Sequence, residues 1–250
     1  MGEFVSGERD LMQAVGSAKW GVVMTVDEPV ALVLANIAWH LHTGAAEIHV
    51  YLSRPEDPLA ATIADVPGCH VTHCTDAHWR AMGETDGRPA LQTRRQSLNA
   101  DHAYARSTAD WLVHLDADEF LWQSRPLGEE LFHLAAFSTE VTFSVRERVY
   151  PGLIAGTSVP DDIFAGAFRS AHKSRAGLDT LIYGDLEPFL IQGMLGHAAG
   201  KCAVPVGQDF LIGVHWAFRG KRDKHHRAPQ FTSTSTRLLH FDGMTPKHWV

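Results

Sequence analysis

The sequence predicts an α/β protein built on a doubly wound, mostly parallel sheet flanked by helices, and three observations carry that expectation. Short apolar runs recur at residues 19–26, 47–53, 70–74 and 111–115. Between them lie stretches with helical periodicity or helix-start signals. Strands that alternate with helices in this way form βαβ units, whose strands lie parallel. The composition agrees: 250 residues, 45% hydrophobic and 20% charged, suit a packed globular chain. A chain of this length can bury roughly 70–75% of its unfolded surface.

Taken in order, KWGVVMTV (19–26) reads as a buried first strand. Asp27, Glu28 and Pro29 then read as a helix start, with a capping carboxylate, a first-turn acid and an early proline. The helical segment VALVLANIAWHLHTG stops at Gly44, and EIHVYLS (47–53) alternates as the second strand. Asp57-Pro58 opens a short helix, HVTHC (70–74) is the third strand, residues 90–107 form a helix, and WLVHL (111–115) is the fourth strand. The second half is less regular. EVTFSVRERVY (140–150), DIFAGAFRSA (162–171), DFLIGVHWAF (209–218) and STRLLHF (235–241) read as strands of a mixed-sheet extension. Without an internal repeat or a long linker, the expectation is one domain over residues 1–250. Thr245-Pro246 reads as a helix cap and first turn just before Val250, so the chain is expected to continue into a helix.

Several function classes are disfavoured. A net charge of −7 argues against general nucleic-acid binding. No apolar stretch approaches the ~20 residues that span a bilayer, and the acidic N-terminus lacks the build of a signal peptide. Cys69, Cys74 and Cys202 show neither metal-type spacing nor a disulfide framework. The expectation is a soluble cytoplasmic protein, with peripheral membrane contact left open.

The sharpest feature is DWLVHLDADEFLW (110–122), which places Asp116, Asp118 and Glu119 directly after an apolar strand. Ligands of doubly wound sheets bind beyond the carboxyl ends of the strands, where these acids lie. Buried carboxylates are costly without a positive partner. In extended backbone Asp116 and Asp118 leave on the same side. Two carboxylates aimed together suit Mg²⁺ or Mn²⁺ with open positions for phosphate oxygens. The plainer alternative is a solvated strand end whose acid caps a turn.

Residues 92–121, QTRRQSLNADHAYARSTADWLVHLDADEFL, resemble the nucleotide-sugar-binding core of glycosyltransferase family 2-like proteins. There, an R-x-x-x-N-x-x-x-A helix precedes a strand ending in L-D-x-D-E, here of the D-x-D-E-F variety. Residues 25–53 are similar to the family's first unit, with Asp27 where the family has asparagine. The resemblance implies a GT-A fold, with residues 19–125 as the nucleotide-sugar-binding half and 126–250 as the acceptor-side half. It also implies transfer of a sugar from a nucleotide-diphosphate-sugar donor to an acceptor hydroxyl of a glycan or lipid-linked acceptor, by an inverting mechanism. Carried over, Asp116 lies near the donor's ribose or the metal, and Asp118 is the direct metal ligand. Arg95, Gln96 and Asn99 lie near the nucleotide, while Val26, Glu28 and Ser53 line the base pocket. A late histidine is implied as a further metal ligand, with His215 and His240 as candidates and His197 a weaker third. Arg95 and Gln96 on an exposed helix face, and the histidines as core residues, are the alternatives.

RGKRDKHHR (219–227) is a solvated basic loop, or a lid whose Arg219, Lys221 or Arg222 closes on the donor diphosphate. Inversion requires a base for the acceptor proton, and Asp185, Glu187 and Asp209 are all open to that role. Two rival functions stand beside this reading. One is a Mg²⁺-dependent phosphohydrolase with Asp116 as nucleophile, weakened by Phe120 where Thr or Val is usual. The other is a non-catalytic nucleotide-sugar-binding module that regulates a partner.

Overall fold

The computed structural model describes residues 16–137, 139–149, 166–172, 177–196 and 198–241. The first half alternates as expected: β1 (Trp20–Val26), α1 (Val30–His42), β2 (Glu47–Leu52), α2 (Leu59–Ile63), β3 (Cys69–His73), α3 (Asp76–Ala81), α4 (Gln92–Tyr104) and β4 (Trp111–His114). Then follow β5 (Glu119–Gln123), α5 (Leu127–Leu134), β6 (Glu140–Val149) and β7 (Ala167–Ser170). The chain closes with α6 (Leu178–Tyr183), a 3₁₀ turn (Gly184–Phe189), β8 (Lys201–Pro205), β9 (Leu211–Ile212), β10 (Ala217–Phe218) and β11 (Gln230–His240).

One nine-stranded sheet in the order β3-β2-β1-β4-β8-β6-β11-β5, with β7 on β6, crosses both halves of the chain. The β3-β2-β1-β4 part is parallel throughout. Beyond β4 the sheet is mixed: β8 is antiparallel to β4 and β6, β11 parallel to β6, and β5 antiparallel to β11. The chain leaves β1 toward β2 and β3, then returns to place β4 on the other side of β1. That reversal creates a crevice at the carboxyl ends of β1 and β4, the usual ligand position in such sheets.

The parallel strands β1, β2 and β4 are buried on both faces, so they read as mostly apolar runs rather than alternating ones. Trp20, Val22, Met24 and Val26 of β1 face a core shared with Leu32, Val33 and Ile37 of α1. Val23 and Tyr51 face the opposite core, under Trp79 of α3 and Leu98 of α4. Each such aliphatic side chain contributes roughly 1.5–3 kcal/mol by leaving water. Among the described residues no helix is long and apolar enough to cross a membrane.

Several local expectations are corrected. Asp27 does not cap α1: the N-cap is Pro29, without a side-chain bond, and Asp27 pairs with Arg54 at 2.7 Å. Asp57 does serve its helix, accepting the Leu59 N–H at 2.9 Å. Gly44 ends α1 as expected, at φ +107°, where a side chain would be strained. Residues 209–218 are not one strand, because Gly213 N–H bonds Trp216 O at 2.9 Å and folds them into the β9–β10 hairpin. The acidic segment is a turn at 117–118 rather than extended backbone, so strand alternation does not govern Asp116 and Asp118. Residues 162–165 of the strand expected at 162–171, His197 and the helix start at Thr245-Pro246 lie outside the described residues.

Candidate functional site

The acidic turn connects β4 to β5 and is held from beneath by α1. Asn36, fully buried, donates through Nδ2 to Ala117 O at 3.0 Å and Glu119 O at 2.8 Å. Its Oδ1 lies 2.8 Å from His40 Nδ1, and Leu121 N–H donates to His40 Nε2 at 3.2 Å. Trp39 Nε1–H donates to Leu121 O at 2.9 Å. One face of α1 therefore fixes the backbone on which the acids are carried.

The positive partner demanded by those acids is Lys201, the first residue of β8 and fully buried. Its Nζ lies 2.8 Å from Asp116 Oδ2 and 3.3 Å from Glu119 Oε2. The other Asp116 oxygen accepts from Gln96 Nε2 at 2.5 Å, and Glu119 Oε2 accepts the Asp116 N–H at 2.8 Å. Burial would raise the Asp116 carboxyl, but the Lys201 ammonium overrides it and holds the group down, at about 2. Glu119 moves the other way: burial dominates and raises it toward neutrality, with Lys201 opposing. Nothing in the sequence joins residue 116 to residue 201. The available signal was a lysine heading an apolar run, KCAVP, and its pairing is purely tertiary.

Asp118 has a different environment. Its backbone O accepts the Phe241 N–H at 2.9 Å, which brings the end of β11 to the turn, and its Oδ2 lies 3.5 Å from His240 Nε2. In the sheet register His240 stands between Glu119 on β5 and Glu147 on β6. Glu147 is itself saturated by Arg169 Nη2 at 2.6 Å and by the N–H groups of Leu195 and Gly196 at 3.0 and 2.8 Å. A Cβ at Gly196 would come within 3.3 Å of His240 Cε1, so the 195–196 segment packs against that imidazole.

Glu28, after β1, brings a further carboxylate toward Asp116 and Asp118. Burial is the chief cause raising its carboxyl, and the charges of Asp118 and Asp116 raise it further, against N–H groups that lower it. Glu28 and Ser53 line a cleft of about 690 Å³ with Arg54 and Arg88. Val26 supplies its backbone instead, accepting the Ser53 N–H at 2.9 Å. Arg88, which the sequence reading missed, donates to Ser53 Oγ at 2.9 Å.

The remaining expected residues divide. Gln96 belongs to the acid cluster. Arg95 donates to Pro89 O and Ala90 O at 2.7 and 2.8 Å, at the start of α4. Asn99 is fully buried between Thr25 Oγ1 and His78 Nε2, each at 2.9 Å, and ties α4 to β1 and α3. His215 turns Nδ1 to Gly200 O at 3.2 Å and lies near enough to Asp116 to interact with it electrostatically. The 219–227 loop is pinned rather than loose. Arg222 pairs with Asp101 of α4, Arg219 lies over the Phe210 ring at 4.6 Å, and Arg227 lies over Trp216 at 3.7 Å. Lys221 is exposed. Asp185 and Glu187 sit on the 3₁₀ turn, and their side chains make no hydrogen bond or ion pair among the described residues.

As a seat for a divalent cation, the arrangement offers two donors, Asp118 Oδ2 and His240 Nε2, both partly solvent-accessible. Among the described residues no group of three His, Cys, Asp or Glu side chains could hold a metal. Two donors fit an ion that keeps waters and takes substrate phosphates as its other ligands, the usual mode for Mg²⁺. They do not fit a closed structural site.

No protein-family model matches the chain, and no curated protein matches it. Among solved structures it is similar to the mannosyltransferase PcManGT from Pyrobaculum calidifontis, solved with GDP-Man and Mn²⁺, at 16% identity over 51% of this chain and 35% of that one, TM-score 0.35. S. aureus TarS with UDP-GlcNAc matches at 13% identity over 58% of this chain and 38% of that one, TM-score 0.33. A CMP:2-keto-3-deoxy-manno-octonic acid synthetase with CTP matches at 15% identity over 52% and 53%, TM-score 0.34. The chain thus spans less than two thirds of the length of each.

Proposed function

We propose that this chain is a metal-dependent glycosyltransferase that moves a sugar from a nucleotide-diphosphate-sugar donor to an acceptor hydroxyl, with inversion. The observation that carries the reading is the meeting of Asp118 and His240 at 3.5 Å beside the β1–β4 crevice, next to an Asp116 held ionised by Lys201. Asp118 and His240 would hold Mn²⁺ or Mg²⁺, which supplies charge neutralisation for a departing diphosphate.

The chain's own residues do the rest. Gln96 and Lys201 fix Asp116 in one orientation, so it can accept from a ribose hydroxyl without reorganising. Ser53, Arg88 and Glu28 line the cleft for the nucleotide end. Asp185 and Glu187 are the base candidates, carried by the turn that leads into the segment packed on His240. The acceptor is a glycan or lipid-linked sugar, and the setting is the cytoplasm.

The test is incubation with a panel of UDP- and GDP-sugars and Mn²⁺, reading nucleoside diphosphate release with and without glycan acceptors. Metal-dependent release that disappears in Asp118→Asn supports the transferase. Tight nucleotide-sugar binding with no release under any acceptor would favour the non-catalytic module, for which the bare surroundings of Asp185 and Glu187 speak.

A further inference from the structure

A second cleft, of about 330 Å³, opens on the α4 side of the sheet over β6 and β11. Thr142, Ser144 and Arg146 line it from alternate positions of β6, which places them on one face of the strand. Thr232 of β11 and His215 and Trp216 of the β9–β10 hairpin form the facing walls. Its lining contains one permanent cation, Arg146, and no carboxylate.

Arg146 spends one Nη1 hydrogen bond on Val145 O at 3.1 Å and makes no ion pair among the described residues. Every other arginine discussed above except Arg88 and Arg95 meets a carboxylate or an aromatic ring. The cleft also borders the candidate site directly. His215 reaches Gly200 O, and the next residue is the Lys201 that grips Asp116. Gly200 permits this closeness, because a Cβ there would come within 1.7 Å of Phe143 O.

We propose that this cleft is a binding site for a carboxylated sugar, a hexuronic acid, with Arg146 pairing the carboxylate. The Ser144 hydroxyl and the Thr142–Thr232 hydroxyl pair, bonded to each other at 3.2 Å, suit the hydroxyls that a sugar ring presents. A planar guanidinium matches a planar carboxylate bidentately. A single cation neutralises a singly charged uronate and leaves a phosphate dianion half uncompensated. As an acceptor subsite the cleft rests on the transferase reading; as a binding site it does not.

The experiment compares glucuronic acid disaccharides, their neutral glucose counterparts and glucose 6-phosphate by calorimetry and ligand-observed NMR on the full chain. A charge-assisted pair predicts about tenfold tighter binding of the uronate than of the neutral sugar. Arg146→Gln should remove that preference and Arg146→Lys should restore part of it, with circular-dichroism melts confirming that both variants are folded. Equal affinity for acidic and neutral sugars, or an unchanged preference in Arg146→Gln, overturns the proposal, as does tighter binding of the phosphate. Nucleoside diphosphate binding with Mn²⁺ is measured on the same wild-type sample. Its absence would sink the transferase reading while leaving a uronate preference standing.

Discussion

Replacing Lys201 by methionine keeps most of the side-chain volume and removes one charge from a fully buried position. In the wild type the ammonium is fully buried, 2.8 Å from Asp116 and 3.3 Å from Glu119. Removing one partner of a buried ion pair costs about 3–5 kcal/mol, because the remaining charge keeps its desolvation penalty and loses its compensation. That is a large part of the ~5–15 kcal/mol that stabilises an ordinary domain. At about 2–4 °C per kcal/mol for a chain of this size, the melting temperature should fall by about 6–20 °C. Glu119→Gln should do much less, since burial already raises that carboxyl toward its neutral form and an amide oxygen can still accept from Asp116 N–H. Thermal unfolding followed by circular dichroism, on both single variants and the double variant, measures the coupling directly. A Lys201→Met melt within about 2 °C of wild type would refute the claim that this charge holds the acidic turn.

Three further outcomes follow from the geometry. Asp118→Asn should melt like the wild type, since its side chain is partly exposed, and should lose Mn²⁺-dependent nucleotide-sugar binding; calorimetry with and without EDTA checks both halves. Asn36→Ala leaves the carbonyls of Ala117 and Glu119 without their buried donor and should cost about 1–3 kcal/mol in denaturant unfolding. His40 donates through Nδ1 to Asn36 and accepts at Nε2 from Leu121 N–H, so it must be neutral, and burial lowers it to about 4. The unfolded chain then binds the extra proton first, so stability is full above about pH 6.5 and is lost as pH falls toward 4, by about 3 kcal/mol from this group. An NMR titration that protonates the His40 ring near pH 6.5 in the folded protein would contradict it.

The sequence by itself determined the alternation of β1 to β4 with their helices, because buried parallel strands are continuous apolar runs and helices carry their own period and stop signals. It also placed Asp116 and Asp118 at a strand's carboxyl end, since that pattern is local. The turn at 117–118 was not legible, because D-A-D has no strong backbone preference and its shape is imposed by Asn36 and His40 from α1. The split of 209–218 into a hairpin was not legible either, because the Gly213–Trp216 bond and the pairing of Leu211–Ile212 with Ala217–Phe218 reverse a run that reads as one strand. Only the tertiary structure decided which charges meet. Lys201 reaches Asp116 from 85 residues away in sequence, and His240 reaches Asp118 because β11 lies beside β5. Local sequence encodes backbone periodicity and turn chemistry. The partner of a buried charge depends on which strands become neighbours, and that is settled only when the whole sheet assembles.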